Sequence, residues 1–248
     1  MKLLDRKSIC CVIITYNPEK DLISLINTII SQVDKIIIVD NNSKSECLNI
    51  ILEIARNERV CAILNNNNFG IAKAINQGVR AAKELGYFWS LTFDQDSKPF
   101  ENIIDIFSEV ILRYNNTQNL GAIGLNYINK GSGKYRTKQR KNPNPLYRKA
   151  DYLITSGCLF GIDNFIKVGG AREDLFIDNV DTEFCLRMRN SGKTLLITER
   201  PGMIHESGVS IKRNLLLIKM SSPNHNYIRR YYMARNHIIL SKEYLFNV

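Results

Sequence analysis

The sequence predicts an α/β fold: a mostly parallel sheet flanked by helices, followed by a less regular C-terminal region and a long final helix. Three observations carry this. β-Branched apolar runs alternate with helix-spaced runs for about 125 residues, the pattern of a parallel sheet covered on both faces. The runs that read as strands end in polar clusters, as expected where strand ends border a ligand crevice. The 248 residues are 44% hydrophobic and 23% charged, with six prolines, an ordinary globular composition with enough chain for a sizeable core.

The elements follow in order. "SICCVIITYN" reads as a first buried strand. In "PEKDLISLINTIISQ" apolar residues recur at helical spacing, with Pro18 near the first turn, where proline is tolerated. "KIIIVD" is a second strand ending at Asp40, and "SKSECLNIILEIARN" a helix with Ser43 or Ser45 as N-cap. "VCAIL" is the third strand; "GIAKAINQGVRAAKELG" is the third helix, closed by Gly86. "YFWSLTF", "ENIIDIFSEVILRY" and "GAIGL" give strand four, helix four and strand five. Beyond them, "DYLITSGCLFGI" reads as a strand with a glycine break and "DTEFCLRMRNSG" as an amphipathic helix ending at Gly192. "TLLIT" is a strand, "GMIHESG" a loop, and "SPNHNYIRRYYMARNHIILSKEYLF" a long helix. No linker or internal repeat interrupts the chain, so one domain is expected.

The net charge is +10, which suggests an anionic partner: nucleic acid, an anionic membrane face or a phosphorylated small molecule. Residues 129–149 hold eight Lys or Arg and no acid, among Gly and Pro breakers, and read as a mobile loop. No apolar run reaches the ~20 residues of a spanning helix, and the N-terminus lacks the pattern of a secretory signal. Cys10, Cys11, Cys47, Cys61, Cys158 and Cys185 form no C-x-x-C pair and are expected as buried free thiols in a reducing cytosol.

The polar tips are Thr15-Tyr16-Asn17, Asp40-Asn41-Asn42-Ser43, Asn65 to Asn68, and Asp94-Gln95-Asp96. At the last, two carboxylates two residues apart repel each other, and a cation resolves the repulsion. Hard divalent ions take oxygen ligands and often keep only one or two protein carboxylates beside substrate phosphates, so the pair fits a metal–diphosphate site. The structural alternative is that Asp96 or Ser97 caps helix four.

"VIITYNP", "IIIVDNNS", "NNFGIAKAINQG", "LTFDQDS" and "FIDNVDTEFCLR" together resemble, in order and spacing, the nucleotide-sugar glycosyltransferases of family 2, with the Rossmann-like GT-A fold. The wording is most similar to the rhamnosyltransferase branch, and the resemblance covers roughly residues 8 to 210. It implies a nucleotide-binding half over about 8–125 and an acceptor half over about 126–248. It implies a Mg²⁺ or Mn²⁺ ion that neutralises the departing diphosphate as Lewis acid and template. Asp96 is then the first metal ligand, Asp94 meets the ribose or the metal's waters, and His205 in "MIHESG" is a third ligand or a diphosphate contact. A His with Asp favours Mn²⁺ slightly; a lone loop His is otherwise solvated.

For the nucleotide sugar, the resemblance implies Thr15, Tyr16, Asn17, Asp40, Asn42, Asn68, Gly70, Lys73, Asn76, Asp94 and Gln95. A carboxylate at Asp40 suits the pyrimidine N3–H donor, or else serves a turn. Asn76 either meets the donor or hydrogen-bonds the framework, and Lys73 either touches phosphate or is solvated. Inversion at the anomeric carbon needs one base, and the family's acidic motif places it at Asp181, with Val180 where the first acid of that motif stands. Asp178 and Asp181 are expected on one helical face, with helix N-terminal charge as their structural role. Arg187 and Arg189 read as surface or acid-pairing residues; Ser156 and Gly157 are acceptor-side candidates.

The final helix sets Arg229, Arg230 and Arg235 beside Tyr227, Tyr231 and Tyr232, as suits either an anionic membrane surface or a helix packed on the domain. The expected acceptor is a saccharide or lipid-linked saccharide in surface polysaccharide synthesis, with the protein cytoplasmic and peripheral at the inner membrane face. Relatives continue past this helix, which marks the chain as a candidate short form. dTDP-L-rhamnose is the expected donor, with UDP-sugars as the alternative within the fold. A sugar nucleotidyltransferase would open with a Gly-rich basic loop and a dehydrogenase with G-x-G-x-x-G; neither is present. A basic nucleic-acid-binding module matches the charge but shows no recognition signature.

Overall fold

The computed structural model describes residues 4–136, 146–205 and 226–244, with the backbone alone of residues 210–215 and 218–223. A nine-stranded sheet is ordered β3-β2-β1-β4-β8-β6-β9-β5, with β7 also paired to β9. Its strands are β1 (Ile9–Thr15), β2 (Lys35–Asp40), β3 (Val60–Leu64), β4 (Trp89–Asp94), β5 (Lys98–Pro99), β6 (Leu120–Asn129), β7 (Tyr147–Lys149), β8 (Cys158–Gly161) and β9 (Thr194–His205). The helices are α1 (Asp21–Ile30), α2 (Ser45–Ile54), α3 (Gly70–Glu84), α4 (Ile103–Arg113), α5 (Ile162–Lys167), α6 (Val180–Asn190) and α7 (Tyr227–Tyr244). A separate antiparallel pair joins β10 (Ser210–Leu215) and β11 (Ile218–Pro223).

Every residue of β1 is buried, because both faces of the sheet are covered. Successive side chains on a strand point to opposite faces. Ile9, Cys11 and Ile13 accordingly enter a core with Leu22, Ile29 and Phe107 of α1 and α4. Cys10, Val12 and Ile14 enter a second core with Ile75 and Val79 of α3 and Met188 of α6. The chain runs from β1 outward to β2 and β3, then returns through α3 to β4 on the other side of β1. That reversal is the switch point where open α/β sheets leave a crevice. Thr15 pairs with Asp40 and Ile14 with Asp94, so the three strands end level at its mouth.

The sheet is mixed beyond β4. β8 inserts antiparallel between β4 and β6, while β6 and β9 pair in parallel. Three local expectations change. "GMIH", expected as loop, is the end of the 12-residue β9, because it pairs with β6 and β5. Asp178 lies outside α6, at φ +62°, so it does not share a helical face with Asp181. Ser43 and Ser45 do not cap α2, whose cap position is Lys44. Much of the basic stretch at 129–149 lies outside the described residues. Four of the six cysteines are buried, but Cys47 is half-buried and Cys61 exposed; all are free thiols.

Candidate active site

A cleft of about 640 Å³ opens at the level ends of β1 and β4. Thr15, Tyr16, Asn68, Gly70, Asp94, Gln95, Asp96, Asp181 and His205 all border it. Asn17, Asp40, Asn42, Lys73 and Asn76 do not.

The β4 tip is a tight turn. The Ser97 amide donates to the Asp94 carbonyl (3.2 Å), and the Ser97 and Ser156 hydroxyls meet at 2.5 Å. The Asp94 amide donates to Ser156 Oγ at 3.3 Å. Neither Asp96 nor Ser97 caps a helix, since α4 begins only after Asn102. Gln95 ties this tip to β1: its Oε1 accepts from the Tyr16 amide (2.8 Å) and its Nε2 donates to the Tyr16 carbonyl (3.2 Å). Asp94 and Gln95 are half-buried, while Asp96 is exposed to the cleft.

Asp40 is spent internally. Its carboxylate, 1% exposed, accepts from Thr15 Oγ1 (2.8 Å) and from the Ser43 amide (2.8 Å). Ser43 Oγ in turn receives the Asn17 amide at 2.7 Å, and Asn17 Oδ1 accepts from the Lys44 amide at 2.9 Å. Asp40, Asn17 and Ser43 therefore clamp the tips of β1 and β2 together; Asn42 sits at φ +66° in the same turn.

At the start of α3, Asn68 Oδ1 accepts from the Gly70 amide (3.0 Å), and the Ile71 amide donates to the Phe176 carbonyl (2.8 Å). Gly70 has φ +84°, and a Cβ there would lie 2.5 Å from the Phe176 oxygen, so glycine is what lets the two segments touch. Asn76 is buried and brackets the neighbouring loop: Nδ2 donates to the Ala171 carbonyl and to Glu173, and Oδ1 accepts from the Ala171 amide. Lys73 lies 4.0 Å over the Phe69 ring.

Facing β4 across the cleft is the loop before α6. Phe176, Asp178 and Asn179 all have φ near +60°, a conformation costly for residues with side chains. Helix α7 holds them there. The fully buried Asn236 amide donates to the carbonyls of Leu175, Ile177 and Asp178, and Tyr232 stacks on Phe176 at 4.8 Å. Arg229 forks onto Asp178 at 3.0 and 3.1 Å. Asp181 then falls in the first turn of α6, where its Oδ1 accepts from the Thr182 amide.

Burial raises the Asp181 carboxyl above the ordinary carboxylate range; the Thr182 amide opposes this. Burial pushes Asp94 up to about 7, helped by the charges of Asp96 and Asp181 and opposed by Arg229. His205, at the end of β9, packs edge-on to Tyr127 at 5.2 Å.

The donor set tests whether a cation fits. Carboxylates that repel each other at one tip, one of them raised chiefly by burial and further by its acidic neighbours, suit a hard divalent ion. Among the described residues no group of three or more His, Cys, Asp and Glu gathers as a complete ligand set. Asp94 and Asp96 could therefore share an ion with oxygens of a bound diphosphate, whereas His205 borders the same cleft without joining them in such a cluster.

Tyr127, Phe176 and Arg229, none of them a site candidate from the sequence, also line the cleft. Arg229 was expected at a membrane or solvated face; its partner, 51 positions away in sequence, leaves no local signal.

The family model "Glycosyl transferase family 2" matches residues 10–166. The dTDP-rhamnosyl transferase RfbF of Shigella flexneri is 32% identical over 248 residues, covering 95% of this chain and 80% of that protein. Among solved structures, S. aureus TarS 1–349 superposes with TM-score 0.62 at 14% identity, over 81% of this chain and 60% of that one. The mannosyltransferase PcManGT of Pyrobaculum calidifontis, solved with GDP-Man and Mn²⁺, gives 0.58 at 14% identity over 79% and 58%. The chain thus spans about 60% of the length of these two solved chains.

Proposed function

We propose, since this chain belongs to glycosyl transferase family 2, that its cleft moves L-rhamnose from dTDP-L-rhamnose to a hydroxyl of a saccharide or lipid-linked saccharide, with inversion. The observation that carries the site assignment is the placement of Asp181 across one cleft from Asp94 and Asp96. The rhamnose donor is supported by the likeness to RfbF along nearly the whole chain.

Asp181 is the base. It accepts the acceptor hydroxyl proton as that oxygen bonds to the anomeric carbon, while the bond from that carbon to the diphosphate oxygen breaks and the nucleoside diphosphate leaves. Its desolvated setting makes it a stronger base than a solvated carboxylate. Asp94 and Asp96 hold the divalent cation, and when bound that ion supplies Lewis-acid neutralisation of the leaving diphosphate. Tyr16, Asn68 and the Gly70 backbone border the donor, and His205 contacts its diphosphate. Asp40, Asn17 and Asn42 act through the turn they build, and Asn76 through the loop it brackets. Tyr227, Arg230 and Tyr231, exposed on α7, are the residues offered to an anionic membrane surface at the cytoplasmic face. Among the described residues, no helix is long and apolar enough to cross a membrane.

A donor screen tests the proposal. The chain is incubated with dTDP-L-rhamnose, UDP-GlcNAc or GDP-mannose, each with Mn²⁺ or EDTA, and thermal shift and nucleotide release are read. A rise with dTDP-L-rhamnose and Mn²⁺ alone is expected. A rise with another donor only would move the donor assignment, and equal shifts in EDTA would remove the cation.

A further inference from the structure

We propose that Arg229 is a donor-binding residue held in reserve by Asp178: it trades that carboxylate for the diphosphate of the incoming nucleotide sugar. This rests on the donor site proposed above.

Among the described residues lining the cleft, Arg229 is the only lysine or arginine, set among Asp94, Asp96, Asp178 and Asp181. A diphosphate brings at least two negative charges into this acidic cleft. A cation on the β4 tip answers part of that charge, and Arg229 can answer more. Its fork already grips a carboxylate through two nitrogens, at 3.0 and 3.1 Å, and the same planar geometry matches two phosphate oxygens. The pair is open to exchange, since the Arg229 side chain is 44% exposed and Asp178 17%. A pair solvated on its arginine side holds less tightly than a fully buried one, and the diphosphate returns to Arg229 the charge-assisted bonds it gives up. Arg229 also stands in the first turn of the 18-residue α7, whose dipole adds positive potential at that end.

The backbone need not move for the exchange. Asn236 and the Phe176–Tyr232 stack hold α7 against the loop independently of the ion pair. An arginine has enough rotatable bonds to swing while its helix stays anchored.

A purely structural clamp and an exchanging one predict different signs. If the pair only fastens α7 to the loop, losing either partner should weaken nucleotide binding. If Arg229 is held in reserve, losing Arg229 weakens diphosphate binding and losing Asp178 strengthens it. The experiment is calorimetric titration of wild type, Arg229→Met and Asp178→Asn with dTDP and with dTMP, in Mn²⁺. Asparagine tolerates positive φ well, so Asp178→Asn preserves the loop. Arg229→Met is expected to raise the dTDP Kd by about tenfold or more, as for loss of a charge-assisted bidentate contact. The dTMP Kd should change less. Asp178→Asn should lower the dTDP Kd by roughly two- to fivefold. An unchanged dTDP Kd in Arg229→Met, or weaker binding in both variants, overturns the exchange while leaving the donor site intact. A wild-type chain that binds neither dTDP, UDP nor GDP overturns the site assignment itself, and this proposal with it.

Discussion

The Arg187 guanidinium closes on both oxygens of the buried Glu183 carboxylate, at 2.6 and 2.7 Å, on the helix that carries Asp181. Arg187 also donates to the Gly170 and Val168 carbonyls, and Tyr244 of α7 donates to Glu183 at 3.0 Å. One ion pair thus joins α6, the loop after α5 and α7. Arg187→Met would strand a buried charge. The expected loss is about 3 kcal/mol, a fall in Tm of roughly 10 °C, measured by thermal unfolding. A change within experimental error would show that the pair is solvated in solution.

Asp181→Asn keeps the shape of the base but cannot take a proton. Sugar transfer should fall about 10²- to 10⁴-fold, with the Kd for dTDP within a few-fold of wild type. Transfer at the wild-type rate would place the base elsewhere.

Cation binding should depend on pH through Asp94. Its carboxyl titrates near 7, raised chiefly by burial. A protonated carboxyl must lose its proton to ligate, so apparent Mn²⁺ affinity should fall as pH drops below about 7, approaching tenfold per unit. The same raised value works the other way on stability. The folded chain binds this proton more tightly than the unfolded chain does, so Asp94's contribution is full at low pH and is lost as pH rises through about 7. Mn²⁺ added together with dTDP should offset that loss. Metal affinity flat between pH 5.5 and 8 would contradict the assignment of Asp94.

Gly70→Ala sets a methyl carbon against the Phe176 carbonyl in a backbone conformation that alanine resists. A stability loss of at least about 1–3 kcal/mol is expected, with weaker dTDP binding, because α3 and the loop before α6 must part. Asn68→Ala removes only the hydrogen bond to the Gly70 amide and should cost about 1 kcal/mol. Equal effects in the two variants would mean that the close approach matters less than the Asn68 hydrogen bond.

What could be read from the sequence was local. β1, β2 and β4 were legible because both faces are buried and their runs are continuously apolar. The Asp94–Asp96 pair was legible because acids end abruptly at one of those runs. The clamp made by Asp40 was not, since whether a carboxylate faces a ligand or its own turn depends on Ser43 and Thr15 folding back on it. The insertion of β8 between β4 and β6 is set by long-range pairing and leaves no periodic mark. The bond from Asn236 to three carbonyls and the Arg229–Asp178 pair connect positions more than fifty residues apart, so α7 read only as a basic, tyrosine-rich helix.

Electron paramagnetic resonance titration of Mn²⁺ tests the central claim most directly, with wild type and an Asp94→Asn/Asp96→Asn variant, each with and without dTDP. Tight Mn²⁺ binding by wild type only when dTDP is present, and its loss in the variant, is the predicted result. Mn²⁺ and dTDP bound together equally well by the variant would contradict it.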